Sequence, residues 1–478
     1  AGCATTVPDE LLRRTLAGQP SERDLPSQGQ GSNWWALGSE RTSTKGPLLA
    51  NDPHLSVRVP SIWYESHLHA NDTGLHTAGV QMPGFPVTII GHNEKVCIGV
   101  TLGYTDTEDL FIERFVGKKD ARLGHSTSYM HEGLVKEVQT HEETIAVKGE
   151  TEPVVVTVAE TVHGPIVSQC AGNHDGAYDV ARADAVAADD GNFATHDADG
   201  VTMEMAFCAQ GLAQRTGAME ALYALAHATD VKSARAAFEH VAAPSLNIGL
   251  ADNSGNIAYA LVGRVPLRGC MPGAEIMPLV GWTGDNDWRG DTPWDLMPHS
   301  VNPPDQKLVS ANHRIIPTTD KAVYLGNIWV AGWRALSIHD ALDEWKDSGT
   351  RVGLDENQAL QMDFRCIPGE RFRDLFSSKR VEIETTQSLT KTELVALREL
   401  VTWDGRMDVD SIGATLYELT SDAVADQVFE CLLARNAAAA SSDDASDAAE
   451  RLLEMAKGQG IDASLRARSE LKNGVVST

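Results

Sequence analysis

Gly31-Ser32-Asn33-Trp34-Trp35 is the stretch on which the interpretation of this chain depends. A polar, turn-rich segment, residues 24–31, precedes it, and the apolar run from Trp34 to Leu37 suits a buried strand. A Gly-Ser bond at such a junction is suited to self-cleavage, because glycine tolerates strained backbone angles and a serine hydroxyl can attack the preceding carbonyl. Cleavage would leave Ser32 with a free α-amine, a group whose pKa is about 8 in peptides. A nucleophile and a base would then lie on one residue.

A Gly-Ser pair alone predicts no more than a turn, so the assignment depends on segments further along the chain. The first of them are Ser-Asn-Trp-Trp-Ala-Leu-Gly at 32–38, Pro-Leu-Leu-Ala-Asn-Asp-Pro-His-Leu at 47–55 and Gly-His-Asn-Glu at 91–94. Others follow in order: His163-Gly-Pro-Ile166, Asn247, 255–257, 263–268, Gly281-Trp282, Asp287-Trp288, Ala311-Asn312 and 403–405. Together they resemble the β-chain of the penicillin amidase family, which includes cephalosporin acylases and acyl-homoserine lactone acylases. Each match is weak alone, and their shared order carries the resemblance.

Periodicity predicts an α+β protein. Short apolar runs broken by Gly, Pro and Asn between residues 34 and 116 predict strands, and helical periodicity follows at 218–228 and 231–241. Strands return at 246–251 and 257–262, and residues 264–332 are expected to form long loops. The pattern after 333 is mainly helical, with helices predicted at 336–346, 356–363, 391–401, 411–419 and 422–435. The resemblance implies a four-layer α-β-β-α sandwich of the N-terminal nucleophile hydrolase type, here with a helical extension.

The resemblance also implies a division of the chain. Residues 1–31 are similar to the tail of an α-chain or a spacer peptide, 32–332 to the catalytic core of the β-chain, and 333–478 to its mainly helical part. By the same resemblance, a precursor in this family consists, in order, of a signal peptide, an α-chain, a spacer and a β-chain. We therefore expect a fragment that lacks most of the α-chain and the last part of the β-chain, with the α-chain of the same precursor as its partner.

Charge limits the classes of partner. Asp and Glu number 67 against 40 Lys and Arg, a formal net charge of −27, which argues against nucleic acid or an anionic membrane. No stretch approaches the roughly 18–20 apolar residues that span a bilayer. Seven scattered cysteines without a Cys-x-x-Cys motif do not predict a disulfide framework or a zinc site. The resemblance implies a periplasmic or secreted protein.

Two residues are expected at the nucleophile. Ser32 would attack the amide carbonyl and form an acyl-enzyme, while its amine, acting through a water, accepts and returns the proton. His54 lies 22 residues after Ser32, at a position where family members carry Gln or His in contact with that amine. A histidine there could tune the amine. The alternative is an ordinary turn histidine after Pro53.

The oxyanion of the tetrahedral intermediate requires hydrogen-bond donors. By resemblance, Asn247 supplies a side-chain N–H, Leu102 supplies a backbone N–H, and Arg268 lies near the site. Without the resemblance, Asn247 would be interpreted as a buried strand asparagine and Arg268 as a loop arginine.

No organic cofactor is expected, but the acidic segment 106–109 resembles the family's calcium loop. Asp106 and Asp109 would bind the ion through carboxylates and Glu108 through its carbonyl, and an acidic turn without metal is the alternative. His67-Leu-His69 is interpreted as a pair of surface residues, since no acidic or cysteine partner at a known zinc spacing accompanies it.

The leading hypothesis is therefore an acylase that hydrolyses a linear amide of a small molecule. Its substrate could be a β-lactam side chain, an acyl-homoserine lactone or a lipopeptide acyl chain. The apolar side chains that could line an acyl pocket, and which could equally be core, are Trp34, Trp35, Met82, Phe85 and Ile89. The alternative is a non-catalytic binding or scaffold protein, or an inactive fragment, that retains the fold.

Overall fold

In this computed structural model, the described residues are 31–118, 120, 123, 125–167, 201–212, 215–270, 277–316, 323–386 and 389–439. The predicted tail therefore lies outside them except for Gly31. The first ten strands are β1 (Gly31–Leu37), β2 (Leu48–His54), β3 (Tyr64–Ala70), β4 (Leu75–Gln81), β5 (Ile90–His92), β6 (Val96–Leu102), β7 (Glu108–Val116), β8 (Ser128–His131), β9 (Leu134–Glu137) and β10 (Gln139–Ile145). The next ten are β11 (Val154–Thr161), β12 (Gly164–Pro165), β13 (Val201–Ala209), β14 (Leu246–Asp252), β15 (Ile257–Val262), β16 (Pro266–Arg268), β17 (Leu279–Val280), β18 (Trp288–Asp291), β19 (His299–Val301) and β20 (Lys307–Ser310).

The α-helices are α1 (Ala218–Ala226), α2 (Val231–Ala236), α3 (Trp333–Asp347), α4 (Leu354–Gln361), α5 (Ile367–Thr386), α6 (Lys391–Thr402) and α7 (Ile412–Ala439). Short 3₁₀ helices lie at Gln210–Leu212 and Trp294–Leu296. Within the described ranges, no helix is both long and apolar enough to cross a bilayer.

The first layer of the core consists of helices α1 and α2, which cover one face of a seven-stranded sheet. The sheet has the order β19-β15-β14-β6-β5-β4-β3, and its pairs are antiparallel. Alternate side chains of its strands, such as Ile98, Ile248 and Leu250, pack against Leu225 and Phe238 from the helical segment.

Among the described residues, the second sheet consists of β2, β1 and β20, in that order. Strand β1 lies in its middle and is buried on both faces, which explains why Trp34 to Leu37 is apolar without alternation. Trp34 and Ala36 point towards the seven-stranded sheet, where Tyr259 stacks on the Trp34 ring.

The opposite face of β1 packs on helices and completes the fourth layer. Trp35 and Leu37 contact a cluster that includes Ile338 and Leu342 of α3 and Leu360 of α4. The order helix, sheet, sheet, helix confirms the predicted α-β-β-α arrangement. Helices α3 and α4 form this outer layer, and α5 to α7 follow them in the chain as far as Ala439.

Several local predictions differ from the structure. The segment 264–332, expected to be loops, contains the short strands β16 to β20. Helix α5, 20 residues long, was not predicted, because Pro368-Gly369 at its start is typical of a turn. Proline is nevertheless compatible with the first turn of a helix, where its missing N–H costs nothing.

Candidate active site

Ser32 lies near the start of β1 with only 9% of its surface exposed. Its hydroxyl donates a 2.7 Å hydrogen bond to the carbonyl oxygen of Gly31, the residue before it. Its backbone N–H donates over 2.6 Å to Oδ1 of Asn312. Both ends of the Gly31–Ser32 peptide bond are therefore held by hydrogen bonds, with the serine oxygen next to the carbonyl group it would attack.

Asn312 connects Ser32 to the seven-stranded sheet. It follows β20, is buried, and has φ 61, a left-handed conformation that asparagine adopts more readily than most residues. Its Nδ2 donates over 2.9 Å to the carbonyl oxygen of Leu102, at the end of β6. Asn312 thus uses its acceptor for the serine and a donor for the sheet.

Arg334, on the first turn of α3, contacts the Ser32 backbone and two asparagine side chains beside it. Its Nη1 donates to the carbonyl oxygen of Ser32 at 2.8 Å and to Oδ1 of Asn33 at 2.6 Å. Its Nη2 donates over 3.1 Å to Oδ1 of Asn312, the same oxygen that accepts the serine N–H. Burial lowers the pKa of Arg334, but arginine remains protonated at neutral pH. A fixed positive charge therefore lies beside the backbone nitrogen of Ser32.

Asn247 lies on β14, the strand next to β6, and contacts the same Leu102 carbonyl as Asn312. It is 1% exposed, and β14 pairs with β6 so that Asn247 is opposite Thr101. Its Nδ2 donates over 3.1 Å to both Thr101 Oγ1 and the Leu102 carbonyl, and its Oδ1 accepts from the Tyr259 hydroxyl at 2.8 Å. The Leu102 carbonyl accordingly accepts from Asn247 and from Asn312, which links Asn247 to Ser32.

His54 is the last residue of β2, the strand that pairs with β1. The antiparallel register of β1 and β2 places His54 opposite Gly31 and Pro53 opposite Ser32. The His54 ring is 29% exposed, and its Nε2 lies 3.1 Å from Oδ2 of Asp52. His54 is thus adjacent to the Gly31–Ser32 bond in register, with a carboxylate beside its ring.

The site combines a buried serine, a guanidinium and two asparagine amides that share the Leu102 carbonyl as an acceptor. The family model described as penicillin amidase matches residues 3–474. The chain belongs to the penicillin amidase family.

Two similar curated proteins are acylases by name. Acyl-homoserine lactone acylase QuiP of Pseudomonas fluorescens (strain Pf0-1) is 28% identical over 407 residues, which cover 84% of this chain and 45% of that protein. The penicillin acylase 2 proenzyme of Pseudomonas sp. (strain SE83) is 28% identical over 412 residues, covering 85% of this chain and 46% of the relative. The chain therefore spans about half the length of these curated relatives.

A solved structure supports the fold. The thermostable penicillin G acylase from Alcaligenes faecalis superposes with a TM-score of 0.59 at 21% identity, over 79% of this chain and 60% of that one. At this identity the match concerns the fold, which it shares with the four layers described above.

Penicillin amidase resemblance led to five site residues, and the structure brings four of them together. Ser32 on β1 and His54 on β2 are neighbours in one sheet, Leu102 on β6 and Asn247 on β14 are neighbours in the other, and Asn312 links the two pairs. From the sequence, Asn312 was recognised only within the motif Ala311-Asn312 of the resemblance, and Arg334 was not predicted to be a site residue. The sequence signal for Asn312 was that motif, and for Arg334 there was none beyond its place at the start of a helix.

Arg268 is bound elsewhere. Its Nε donates to Asp109 Oδ2 over 2.7 Å and its Nη2 to Asp106 Oδ1 over 2.9 Å, and these bonds tie it to the predicted calcium loop. Burial raises the pKa of Asp109, although the bonds from Arg268 and Trp288 oppose that shift. Asp109 Oδ1 is buried without a hydrogen-bond partner, as a carboxylate oxygen reserved for a cation would be. Glu108, the first residue of β7, lies between the two aspartates in sequence. These oxygen donors suit calcium in type, and both carboxylates are paired with Arg268 in this structure.

Proposed function

We propose that this chain carries the catalytic centre of an acylase that hydrolyses a linear amide through an acyl-enzyme on Ser32. Cleavage of the Gly31–Ser32 bond by Ser32 itself would expose the nucleophile. The observation that carries the proposal is the pair of hydrogen bonds of Ser32, from its hydroxyl to Gly31 O and from its N–H to Asn312 Oδ1.

Maturation follows from these contacts. The Ser32 oxygen adds to the Gly31 carbonyl carbon, the C–N bond breaks, and the hydroxyl proton passes to the departing nitrogen, so an ester replaces the amide. Water then hydrolyses the ester to a Gly31 carboxylate and a Ser32 hydroxyl. Asn312 contacts the Ser32 N–H and Arg334 contacts the Ser32 carbonyl oxygen, both on the serine side of this bond, so they would hold the new amine where the peptide nitrogen was.

The amide hydrolysis uses the same groups. The free amine, still bonded to Asn312 Oδ1, keeps its lone pair to take the hydroxyl proton through a water as Ser32 attacks the substrate carbonyl. Asn247 Nδ2 and the Leu102 N–H would donate to the oxyanion, Asn247 exchanging its bond to the Leu102 carbonyl for one to substrate. The proton then passes to the leaving amine, and water releases the carboxylic acid.

The positive charge of Arg334 would keep the Ser32 amine unprotonated and so available as the base. A fixed cation near the amine disfavours the ammonium form, so more of the amine is unprotonated near neutral pH. Asp52 and His54 on β2 would adjust the same equilibrium from the other side.

The substrate class is proposed as a β-lactam side chain, an N-acyl-homoserine lactone or a related acyl amide. Support comes from the relatives, which carry the names acyl-homoserine lactone acylase and penicillin acylase. Leu102 and Phe85 expose 46% and 41% of their surfaces, as residues that contact an apolar acyl chain would. An α-chain of the same precursor, a structural calcium held by Asp106, Glu108 and Asp109, and export to the periplasm or medium belong to the same proposal.

The test uses the full-length precursor. We expect two chains, the heavier beginning Ser-Asn-Trp-Trp, and an unprocessed single chain for Ser32→Ala by intact mass and N-terminal sequencing. The processed protein should release acid from at least one member of a panel of acyl-homoserine lactones and penicillins, and Asn247→Ala should lower kcat by about 10²–10³-fold. Processing of Ser32→Ala at the same bond would contradict self-cleavage. A processed protein without activity on any acyl amide would instead favour a scaffold that retains the fold.

A further inference from the structure

A second polar cluster lies around the His163-Gly-Pro-Ile166 motif, which the acylase scheme does not use. His131 ends β8, His163 lies between β11 and β12, and Asp287 immediately precedes β18. His131 and His163 are 3% and 5% exposed, whereas the Asp287 side chain is 26% exposed. Two buried imidazoles thus meet one carboxylate that solvent can reach.

The donor atoms of these three side chains converge. Asp287 Oδ1 lies 2.9 Å from His163 Nε2, and Asp287 Oδ2 lies 2.9 Å from His131 Nε2. One ligand atom from each residue lies within 4.8 Å of the other two. In a tetrahedral zinc site with bonds of about 2.0–2.1 Å, ligand atoms are a little over 3 Å apart, so small shifts would suffice.

Glu113, which is not one of the three converging residues, orients the imidazole of His163. Glu113 on β7 is buried, and its Oε1 lies 2.6 Å from His163 Nδ1 and accepts from Thr161 Oγ1 at 2.7 Å. A carboxylate on the far nitrogen of a ligating histidine is the usual outer partner in metal sites, because it leaves the other nitrogen's lone pair facing the metal. Glu113 Oε2 is buried with no hydrogen-bond partner, so half of this carboxyl group is unused by the protein's own donors.

The far nitrogens of the two imidazoles have different partners. His163 Nδ1 faces Glu113 Oε1, as described above. Lys136 Nζ lies 2.8 Å from His131 Nδ1 and donates to it, which leaves the His131 proton on Nε2, facing Asp287. Lys136 is therefore a cation that competes with a metal ion at this cluster.

A divalent ion would bind Nε2 of both histidines in place of the hydrogen atoms that face Asp287. His131 then carries its single proton on Nδ1, so the Lys136 ammonium must move away from that nitrogen. We propose that His131, His163 and Asp287 form a binding site for a divalent transition metal ion of the zinc class, with Glu113 as outer partner.

This site differs from the predicted calcium loop in its ligands. Two imidazole nitrogens suit zinc and similar ions, whereas calcium takes oxygen ligands. The ion would connect β8, the segment before β12 and the segment before β18, so its expected role is to stabilise this region. The inference does not depend on the acylase proposal.

The experiment measures Zn²⁺ binding by the chelator-treated, full-length protein using titration calorimetry, with Co²⁺ absorption as a report of coordination. A surface cluster must be removed first, because His67 Nε2 and His76 Nε2 lie 2.8 Å apart on β3 and β4 and could hold an ion themselves. All measurements therefore use a His67→Asn, His76→Asn background. We expect one Zn²⁺ per chain, a rise in Tm with Zn²⁺, and an intense Co²⁺ spectrum typical of four-coordinate nitrogen and oxygen ligation.

Three variants decide the assignment. Asp287→Asn should abolish the site, and Glu113→Gln should weaken it by about 10–100-fold, as loss of an outer partner does. Lys136→Met removes the competing cation and should tighten binding. Absence of stoichiometric Zn²⁺ binding in the background protein and in Lys136→Met would overturn the proposal, as would undiminished affinity in Asp287→Asn. If Asp287→Asn fails to fold, the opposite effects expected of Glu113→Gln and Lys136→Met still test it, and equal affinities in both would also overturn it.

Discussion

Ser32 and Asn312 are joined by a 2.6 Å hydrogen bond although 280 residues separate them in the chain. The bond exists because β1 lies between β2 and β20, and Asn312 lies two residues after the end of β20. The sheet thereby fixes the nitrogen that would become the catalytic amine.

Replacing Asn312 should impair both maturation and turnover. In Asn312→Ala the amine loses its acceptor and the Leu102 carbonyl loses a donor, so we expect slower cleavage and a kcat about 10²-fold lower, the usual effect of a misplaced catalytic group. The rate of appearance of the Ser32 N-terminus and kcat for the processed fraction measure the two effects separately. Asn302→Ala is a control with the same chemistry at an exposed turn outside the site, and it should retain normal kcat. A normal kcat in Asn312→Ala would remove Asn312 from the mechanism.

Arg334 should set the acid limb of the pH profile. Its charge lies close to the Ser32 nitrogen, so Arg334→Met should raise the pKa of the amine and move the acid limb to higher pH by about 1 unit, the size expected for a charge at this distance in a partly screened site. Arg334→Lys keeps the charge and serves as the matched control, with its limb near that of the wild type.

His54 must be excluded as the titrating group in this experiment. Its ring lies opposite the cleavage site in register, and histidine titrates in the same pH range. We therefore measure the Arg334 variants in a His54→Gln background, where an amine-controlled limb should persist and acetylation of the amine should abolish activity. A limb that disappears in His54→Gln would assign the titration to histidine, and one that does not move in Arg334→Met would exclude electrostatic control by Arg334.

The parts of the fold that the sequence predicted are those with a strong local pattern. The hairpin of β14 and β15 was predicted at 246–251 and 257–262, because two apolar runs flank Asp252-Asn-Ser-Gly-Asn256, and the structure has it at Leu246–Asp252 and Ile257–Val262. Helix α7 was predicted as two helices, at 411–419 and 422–435, because Thr420-Ser421 weakens helical propensity. Their hydroxyls accommodate the helix by donating to carbonyls of the preceding turn.

The four layers and the site followed from the resemblance, since long-range pairing leaves little local trace. Nothing around Trp333-Arg334 indicates that this helix start contacts Ser32, because the contact depends on how α3 packs across β1. Arg268 illustrates the converse: its motif was recognised, but its partners Asp106 and Asp109 became apparent only from the structure.

A stability prediction concerns the close approach of the two sheets at Gly249. A Cβ at this position would lie 2.6 Å from Cε3 of the Trp34 ring, which is buried. Gly249→Ala should therefore lower the free energy of unfolding by about 1–3 kcal/mol, the usual cost of overpacking a core. Denaturant unfolding measures it, and Gly46→Ala is the control, because nothing lies within 4 Å of a Cβ there. Equal stabilities of the two variants would show that the Trp34 ring can move aside.

The final prediction concerns stability against acid and depends on His313, the residue after Asn312. Burial, and then the positive charges of His339 and Arg334, lower its pKa from 6.5 to about 4. The Ala311 N–H donates to its Nδ1 over 3.3 Å, a contact that also requires an unprotonated nitrogen. Between pH 4 and 6.5 the unfolded chain binds a proton at this position that the folded chain does not, so stability must fall as the pH is lowered through this window.

Removing the imidazole should weaken that dependence. From pH 7 to 4.5 the wild type should lose about 2–3 kcal/mol more of its free energy of unfolding than His313→Gln, the amount that corresponds to the pKa difference. Chemical denaturation at a series of pH values measures the difference between the two proteins, which cancels the many carboxylates they share. His141→Gln, an exposed site on β10, should leave the wild-type slope unchanged. Parallel pH dependences for wild type and His313→Gln would show that the pKa of this histidine is the same in the folded and the unfolded chain, and burial and the charge of Arg334 would then not disfavour its protonation.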